Sequence, residues 1–187
     1  MLLQAHTAAF AGSLGVALGQ RYVTEFVKWF ITDDEAISLV AENDGRIAGY
    51  VFGAPTGYGT RMNRALIGTI AWATITHPGV VVRSGFLGQI PGRVRALLGA
   101  ASTDSEPTPG RAERSFRLTG IGVSPEFLRQ GVAQGLIHGY EEQVWERGYD
   151  AIYLSVYGTN RRARALYERC GWRQVRGGDV VTYRRGR

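Results

Sequence analysis

The sequence predicts an α/β fold in which a mixed β-sheet is covered by helices. A hairpin pattern occupies residues 37–52, and two strand–loop–helix patterns follow at residues 116–147 and 151–170. Alternating apolar residues indicate strands, and apolar residues three and four positions apart indicate amphipathic helices. Such elements bury their apolar faces when helices pack against a sheet. Because 187 residues are typical of one domain, we expect a single domain over residues 1–187.

The first elements are predicted to be two helices and a β-hairpin. The helices cover residues 2–10 and 19–31, and the second carries its aromatic residues on one face. The hairpin joins a strand at 37–41 to a strand at 47–52 through Asn43-Asp44-Gly45, a combination that favours a tight turn. The hairpin therefore supplies two neighbouring antiparallel strands.

The region from about residue 55 to 112 is predicted to be an insert of helical and irregular structure. Helical patterns cover residues 62–75 and 92–98, and residues 100–110 have the composition of a linker. A membrane-surface module is an alternative for this region, because four arginines flank its apolar runs. They are Arg61, Arg64, Arg93 and Arg95.

The second half of the chain is predicted to supply the remaining strands and two further helices. In order, these elements are a strand at 116–123, a helix at 132–147, a strand at 151–157, a helix at 160–170 and short strands at 172–176 and 180–184. Asn160 is a favourable helix N-cap, and Gly148 and Gly171 stand where helices usually end.

Composition restricts the partners and the compartment. Cys170 is the one cysteine, so an intrachain disulfide and a cysteine-rich zinc site are excluded, and no metal is expected. The formal charge of +6 favours anionic partners, but nucleic acid is not expected because the basic residues are not interleaved with aromatic residues.

The apolar N-terminus lacks a basic start, which favours a folded helix over a secretion signal. We expect a cytoplasmic protein that does not act on a membrane, and a homodimer stays open.

A loop containing glycine links the strand at 116–123 to the next helix. Gly131 and Ala133 allow a ligand to approach the backbone, and the amides of residues 129–134 lie at the positive end of the helix. This pattern suits a pyrophosphate group. A plain strand-to-helix turn is the alternative.

The last predicted helix carries a tyrosine on its apolar face. Ala163, Leu166, Tyr167 and Cys170 recur at helical spacing. A phenol at such a position can give a proton to a leaving group, although an inward aromatic residue also fits a core role. Together with the loop, this helix predicts a group-transfer enzyme with a phosphate-bearing cofactor.

These two units, in this order and spacing, resemble the GNAT superfamily of acyl-CoA-dependent N-acetyltransferases. The hairpin at 39–53 is similar to the family's second and third strands, and Val123-Ser124-Pro125 is similar to the end of its fourth. Gln130-Gly131-Val132-Ala133 matches most of the family's pyrophosphate loop. Residues 160–172 match its asparagine, alanine, leucine-tyrosine and glycine-aromatic pattern. The resemblance implies a mixed, mostly antiparallel central sheet flanked by helices, with a helical insert between the third and fourth family strands. The family's first strand has no counterpart in the sequence pattern.

The resemblance also implies roles for individual residues. Acetyl-CoA would be the co-substrate. The backbone amides of six loop residues would bind its pyrophosphate, and these residues are Arg129, Gln130, Gly131, Val132, Ala133 and Gln134. The main chain of Ile121 and Val123 would pair with the pantetheine arm, and Asn160 would hydrogen-bond the same region. Tyr167 would be the general acid that protonates the departing thiolate.

Two departures from the family pattern affect the predicted function. Leu128 stands where the family loop usually begins with Arg or Gln, so a side-chain contact from that position is lost. Ser155 stands where some protein-acetylating members place a glutamate base, so a protein acceptor is less favoured. The general base stays open among four candidates, which are Asp33, Asp34, His77 and Glu113.

We therefore predict an N-acetyltransferase that transfers an acetyl group from acetyl-CoA to a primary amine of a small-molecule acceptor within a ternary complex. The alternatives are an aminoglycoside, protein or peptide N-acetyltransferase and a non-catalytic acyl-CoA-binding regulator. The basic, arginine-rich composition favours an anionic acceptor.

Overall fold

The computed structural model describes residues 20–62, 64–65 and 113–187. Within these ranges the elements are α1 (Gln20–Thr32), β1 (Ile37–Asn43), β2 (Arg46–Pro55), β3 (Ser115–Val123), a 3₁₀ turn (Pro125–Phe127), α2 (Val132–Glu146), β4 (Ala151–Tyr157), α3 (Arg161–Arg169), β5 (Arg173–Arg176) and β6 (Val180–Gly186). A helical stretch at 58–62 follows β2. The predicted helices at 2–10 and 92–98, most of the helix at 62–75 and His77 lie outside the described residues.

The six strands form one mixed sheet in the order β1-β2-β3-β4-β6-β5. The pairings are antiparallel except that of β3 with β4, which is parallel. The prediction of a mixed, mostly antiparallel sheet with helices on its faces is confirmed. Since α2 connects β3 to β4, the parallel pair is made by a strand–helix–strand crossover, as this geometry requires.

The predicted hairpin turn is present at the tip of β1 and β2. Asn43 pairs with Arg46, so Asp44 and Gly45 form a two-residue turn between them. Both turn residues have positive φ, 50° for Asp44 and 73° for Gly45. Two-residue hairpin turns with positive φ at both positions favour Asn, Asp and Gly, which explains why the sequence located this turn.

Each face of the sheet carries its own apolar core. On one face α2 and α3 cover a core that includes Val51, Leu118, Leu154 and Tyr183. On the other face α1 packs through Trp29 and Phe30 on side chains of β2. The sheet therefore separates α2 and α3 from α1, and a gap in the sheet connects the two faces.

Candidate active site

The gap in the sheet lies between the parallel strands β3 and β4. These strands pair only at their beginnings, where Ser115, Phe116 and Arg117 face residues 151–153. Beyond this point β3 remains paired with β2, and β4 remains paired with β6. The two strands therefore diverge from Leu118 and Leu154 onwards and open a cleft between their carboxyl-terminal halves.

An irregularity in β3 lies at the point of divergence. Phe52 pairs with Gly120 and Gly53 pairs with Leu118, so Thr119 is an extra residue in β3. Such a bulge bends the strand and increases its local twist. The bulge thus helps β3 to turn away from β4.

The cleft has a volume of about 1270 Å³. Its walls come from β3 (118–123), the loop and first turn of α2 (127–129 and 131–134), β4 (154–157), α3 with its N-cap (160, 162, 163, 166, 167 and 169) and Val180. The lining residues that the structure describes include three arginines but no carboxylate and no imidazole. The charged side chains of this wall therefore favour an anionic ligand.

The loop before α2 presents consecutive backbone N–H groups at one end of the cleft. Arg129 and Gly131 adopt positive φ angles of 64° and 81°, which reverse the chain into the helix. In the described part of the chain, Gly135 N donates to Gly131 O, whereas the amides of residues 129–134 have no protein acceptor. Successive amides of this kind form an anion-binding concavity.

Glycine is required at position 131 by its backbone conformation. A Cβ placed there would meet nothing within 4 Å, so contact with the protein does not exclude a larger residue. The left-handed φ is the constraint, because it is unfavourable for residues with a Cβ. The open space above Gly131 leaves the amides of the loop accessible to an anionic group.

The predicted N-cap of α3 is confirmed. Asn160 Oδ1 accepts a hydrogen bond of 3.1 Å from the backbone N–H of Ala163. This bond uses the side-chain oxygen, while Asn160 remains at the cleft wall. The cap thus begins α3 at the edge of the cleft, and Tyr167 on this helix belongs to the core against the sheet.

Tyr167 lies in the cleft wall on the α2 and α3 side of the sheet. Its side chain is 5% exposed and packs against the rings of Trp172 and Tyr183, with centroids 6.0 and 5.9 Å away. Within the described residues the Tyr167 hydroxyl makes no hydrogen bond. In the same residues no side-chain oxygen is both fully buried and without a hydrogen-bond partner. The oxygen is therefore open to the cleft. Burial raises the pKa of Tyr167 to about 12, so the phenol keeps its proton at neutral pH.

A buried carboxylate behind Tyr167 was missed by the sequence analysis. Glu141 on α2 accepts a 2.7 Å hydrogen bond from Trp172 Nε1 and lies 3.5 Å from Arg185 Nε. Burial raises its pKa despite these two partners. The available signal was an acidic residue on the apolar face of α2, beside Ile137 and Tyr140.

The three candidate bases within the described residues do not line the cleft. Glu113 pairs with Arg184 and accepts a 2.9 Å hydrogen bond from Tyr153 Oη. Asp33 accepts a 3.2 Å bond from Arg61 at the end of α1, and Asp34 lies beside it on the surface. None of these three carboxylates is among the lining residues.

The other predicted binding residues are brought together in the cleft. Ile121, Val123, Arg129 and residues 131–134 all line it. Gln130 holds the loop instead, because its Nε2 donates a 2.9 Å bond to Glu126 O. The structure thus collects the residues that the sequence had placed in two separate units.

The chain belongs to the acetyltransferase (GNAT) family, whose profile matches residues 3–172. Over 58 residues it is 33% identical to the ribosomal protein bS18-alanine N-acetyltransferase of Escherichia coli strain K12, covering 31% of this chain and 39% of that protein. The chain spans between 9% and 39% of the length of the curated relatives that it matches.

Solved structures share the fold over nearly the whole chain. A ribosomal-protein-alanine N-acetyltransferase from Brucella melitensis has a TM-score of 0.58 at 15% identity, covering 100% of this chain and 92% of that one. PaiA N-acetyltransferase from Thermoplasma acidophilum, in complex with coenzyme A, has a TM-score of 0.56 at 9% identity, covering 100% and 88%. Similarity at this level of identity establishes the fold.

The predictions of a GNAT fold and of a member of the GNAT acetyltransferase family are confirmed. Transfer from acetyl-CoA stays a prediction for this chain. The acceptor and the role of each residue stay predictions. The described residues contain no group of three or more His, Cys, Asp or Glu side chains that could hold a metal ion. Among the helices that the structure describes, none has the length and hydrophobicity needed to cross a membrane.

Proposed function

We propose that the protein transfers an acetyl group from acetyl-CoA to a primary amine of a small-molecule acceptor, with both reactants bound in the cleft. The observation that carries this proposal is the gap between β3 and β4, which has unpaired amides at one end and the Tyr167 hydroxyl in its wall. Acetyl-CoA supplies an activated thioester when it is bound. Holding two reactants in one cleft lowers the entropic cost of their reaction.

In this proposal the chain binds CoA mainly through its backbone. The amides of residues 129–134 hold the pyrophosphate, and the outer edge of β3 at Ile121 and Val123 pairs with the pantetheine arm as an added strand would. Asn160 contacts the same arm from the start of α3. Because these contacts are made largely by main-chain groups, the loss of a family Arg or Gln at Leu128 does not abolish binding.

Tyr167 is the proposed general acid. Its hydroxyl holds a proton and directs it into the cleft from the α2 and α3 side, where a sulfur leaving group needs a donor. Since a thiol has a pKa of about 8.5 and Tyr167 one of about 12, the phenol stabilises the developing thiolate through a hydrogen bond as the C–N bond forms and the C–S bond breaks. The proton that the amine nitrogen loses replaces the one that the thiolate takes, so that CoA leaves as the free thiol and Tyr167 ends protonated. We also propose that residues 1–187 form one acetyltransferase domain, with about 55–112 as an insert.

The test follows the release of free thiol from acetyl-CoA across amino sugars, aminoglycosides, polyamines and peptides. We expect Tyr167→Phe to lower kcat about 100-fold with the best acceptor while the Kd of CoA is unchanged. Tyr157→Phe is the matched control, because Tyr157 lies in the same wall but is 69% exposed. Equal turnover by Tyr167→Phe and wild type would refute the acid role.

A second candidate function is acetylation of a peptide N-terminus. The sequence match to ribosomal protein bS18-alanine N-acetyltransferases favours it. A peptide beginning with alanine therefore belongs in the screen. If CoA binds but no acceptor is turned over, the alternative of a non-catalytic acyl-CoA-binding regulator replaces both.

A further inference from the structure

A row of polar side chains crosses three strands beside the apex of the cleft. Arg117 on β3 donates a 2.8 Å hydrogen bond from Nη2 to Ser155 Oγ on β4. Ser155 Oγ lies 3.4 Å from Thr182 Oγ1 on β6, its direct partner in the strand register. The row thus fixes a guanidinium between the two diverging strands and places two hydroxyls next to it.

This row points to the face of the sheet that carries α1. The residues next to it in sequence, Leu118, Leu154 and Val181, lie in the core beneath α2 and α3. Side chains alternate between the two faces of a strand, so Arg117, Ser155 and Thr182 point the other way. Tyr167 and the loop at residues 129–134 lie on the face of the sheet that α2 and α3 cover, and the row lies on the opposite face.

The row therefore lies where a second substrate can reach the thioester. CoA enters from the side of α2 and α3, so the acceptor approaches from the α1 face through the same gap. Along the rest of β3 this face is closed by the rings of Tyr50 and Phe52, which lie against Gly122 and Gly120. Ser155, in contrast, is exposed and lines the cleft.

The charges on this face favour an anion at the row. The carboxylate of Glu113 on this face is held by Arg184 and by Tyr153, the register partner of Arg117, so Arg117 and Arg184 together outweigh this one carboxylate. A guanidinium stays charged at working pH and has five N–H donors, so Arg117 can bind an anion in addition to Ser155 and its other contacts within the protein. Its planar fork matches carboxylate and phosphate oxygens. The positive charge also favours the neutral, nucleophilic form of a nearby amine.

We propose that the acceptor carries a carboxylate or phosphate group a few bonds from its amine, and that Arg117, with Ser155 and Thr182, binds this group. The charged group and the amine of the acceptor are expected to be close together, because Arg117 lies one residue before β3 and β4 diverge and neighbouring strand residues are about 3.3 Å apart. This inference rests on the proposed function, because it assigns the acceptor class of that same site. It makes Arg117 a specificity-determining residue.

The experiment compares matched amines on the complex of the protein with CoA. O-Phosphoethanolamine is compared with ethanolamine, and alanine with alaninamide, by calorimetry and then by thiol release with acetyl-CoA. We expect at least one anionic amine to bind at least tenfold more tightly than its neutral partner. The pair that shows the difference distinguishes a phosphate from a carboxylate.

Variants test whether Arg117 causes the preference. Arg117→Gln is expected to reduce the ratio between anionic and neutral amines to about one, with the Kd of CoA unchanged. Arg117→Lys keeps the charge without the fork and is expected to retain part of the preference. Arg114→Gln is the control, because Arg114 lies on the same segment but stacks on Tyr149. Ser155→Ala, with a smaller expected loss, serves if Arg117→Gln does not fold.

Several outcomes would overturn the proposal. Charged and neutral amines could bind equally, or neither anionic amine could bind. A peptide could bind more tightly than both anionic amines, or the ratio of anionic to neutral amine affinity could be unchanged in Arg117→Gln. Failure of the proposed function is distinguishable, because it appears as a lack of CoA binding in the first titration or as CoA binding without turnover of any amine in the screen.

Discussion

A methyl group added at Gly53 is expected to strain the apex of the cleft. A Cβ on Gly53 would lie 2.0 Å from Arg117 O and 2.0 Å from Tyr140 Oη, where ordinary contacts begin at 3.4 Å. Tyr140 is fully buried, and its hydroxyl donates a 2.9 Å hydrogen bond to that same carbonyl. Gly53→Ala must therefore displace backbone, a buried hydroxyl, or both.

The expected magnitude follows from these two costs. Overpacking costs about 1–3 kcal/mol, and a buried hydroxyl that loses its partner costs about 1–3 kcal/mol. Reduced freedom of the unfolded chain returns about 0.4–1 kcal/mol. We therefore expect Gly53→Ala to lower the free energy of unfolding by roughly 1–6 kcal/mol, which corresponds to a Tm lower by about 2–24 °C in a chain of this size.

Thermal and urea unfolding, with CoA titration of the folded variant, measure these effects. Because Arg117 is the last β3 residue that pairs with β4, we also expect weaker acceptor binding in whatever fraction folds. Gly135→Ala is the control: nothing lies within 4 Å of its Cβ, and α2 should gain about 0.5–1 kcal/mol. A Gly53→Ala protein that melts within about 1 °C of wild type, a difference of less than about 0.5 kcal/mol in a chain of this size, would refute the reasoning.

Three further predictions concern the loop, the buried acid and pH. In Gly131→Ala a left-handed residue with a Cβ costs about 1–2 kcal/mol, so we expect the free loop to relax to another conformation and to incur this cost on binding. Calorimetry should then show the Kd of CoA raised roughly tenfold, while Gly135→Ala leaves it unchanged. Burial raises the pKa of Glu141, so its stabilising contribution is present at low pH and is lost as pH rises through the folded pKa. In urea unfolding at pH 7, Glu141→Gln should therefore be at least as stable as wild type. Glu141→Leu leaves Trp172 Nε1 without an acceptor and should lose about 1–3 kcal/mol of unfolding free energy. A Glu141→Leu protein that is more stable than Glu141→Gln would contradict this account. Because the pKa of Tyr167 is about 12, deprotonation of this group should not lower kcat/KM below pH 10. A fall in kcat/KM with its midpoint near pH 10, present in wild type and absent in Tyr167→Phe, would show that the pKa is not raised.

Local patterns in the sequence were sufficient for most elements. The Asp44-Gly45 turn, the Asn160 cap and the apolar face of α3 each depend on residues that are close together in the chain, so spacing and turn chemistry located them. Those elements, in their order, also carried the resemblance to the GNAT family. The positive φ of Gly131 likewise follows from a strand-to-helix turn that the sequence already marked.

The polar row was not predictable because it joins three strands. Arg117, Ser155 and Thr182 are separated by 38 and 27 residues along the chain, and only the order β3-β4-β6 aligns them. The same limit applied to Glu113, which was a candidate base by residue type until its pairing with Arg184 was known. Glu141 was missed because helix periodicity places a residue on a face but does not identify the groups that meet it there.

The sequence by itself determined the described elements, the family and the glycine turn that begins α2, because each depends on short-range backbone preferences and on spacing along one segment. Only the tertiary structure decided where β3 leaves β4, that the Tyr167 hydroxyl opens to the resulting cleft, and that a guanidinium lies on the opposite face at its apex. These features arise from strand register and from side chains brought together from distant segments. Register depends on the packing of both faces of the whole sheet, which no single segment encodes.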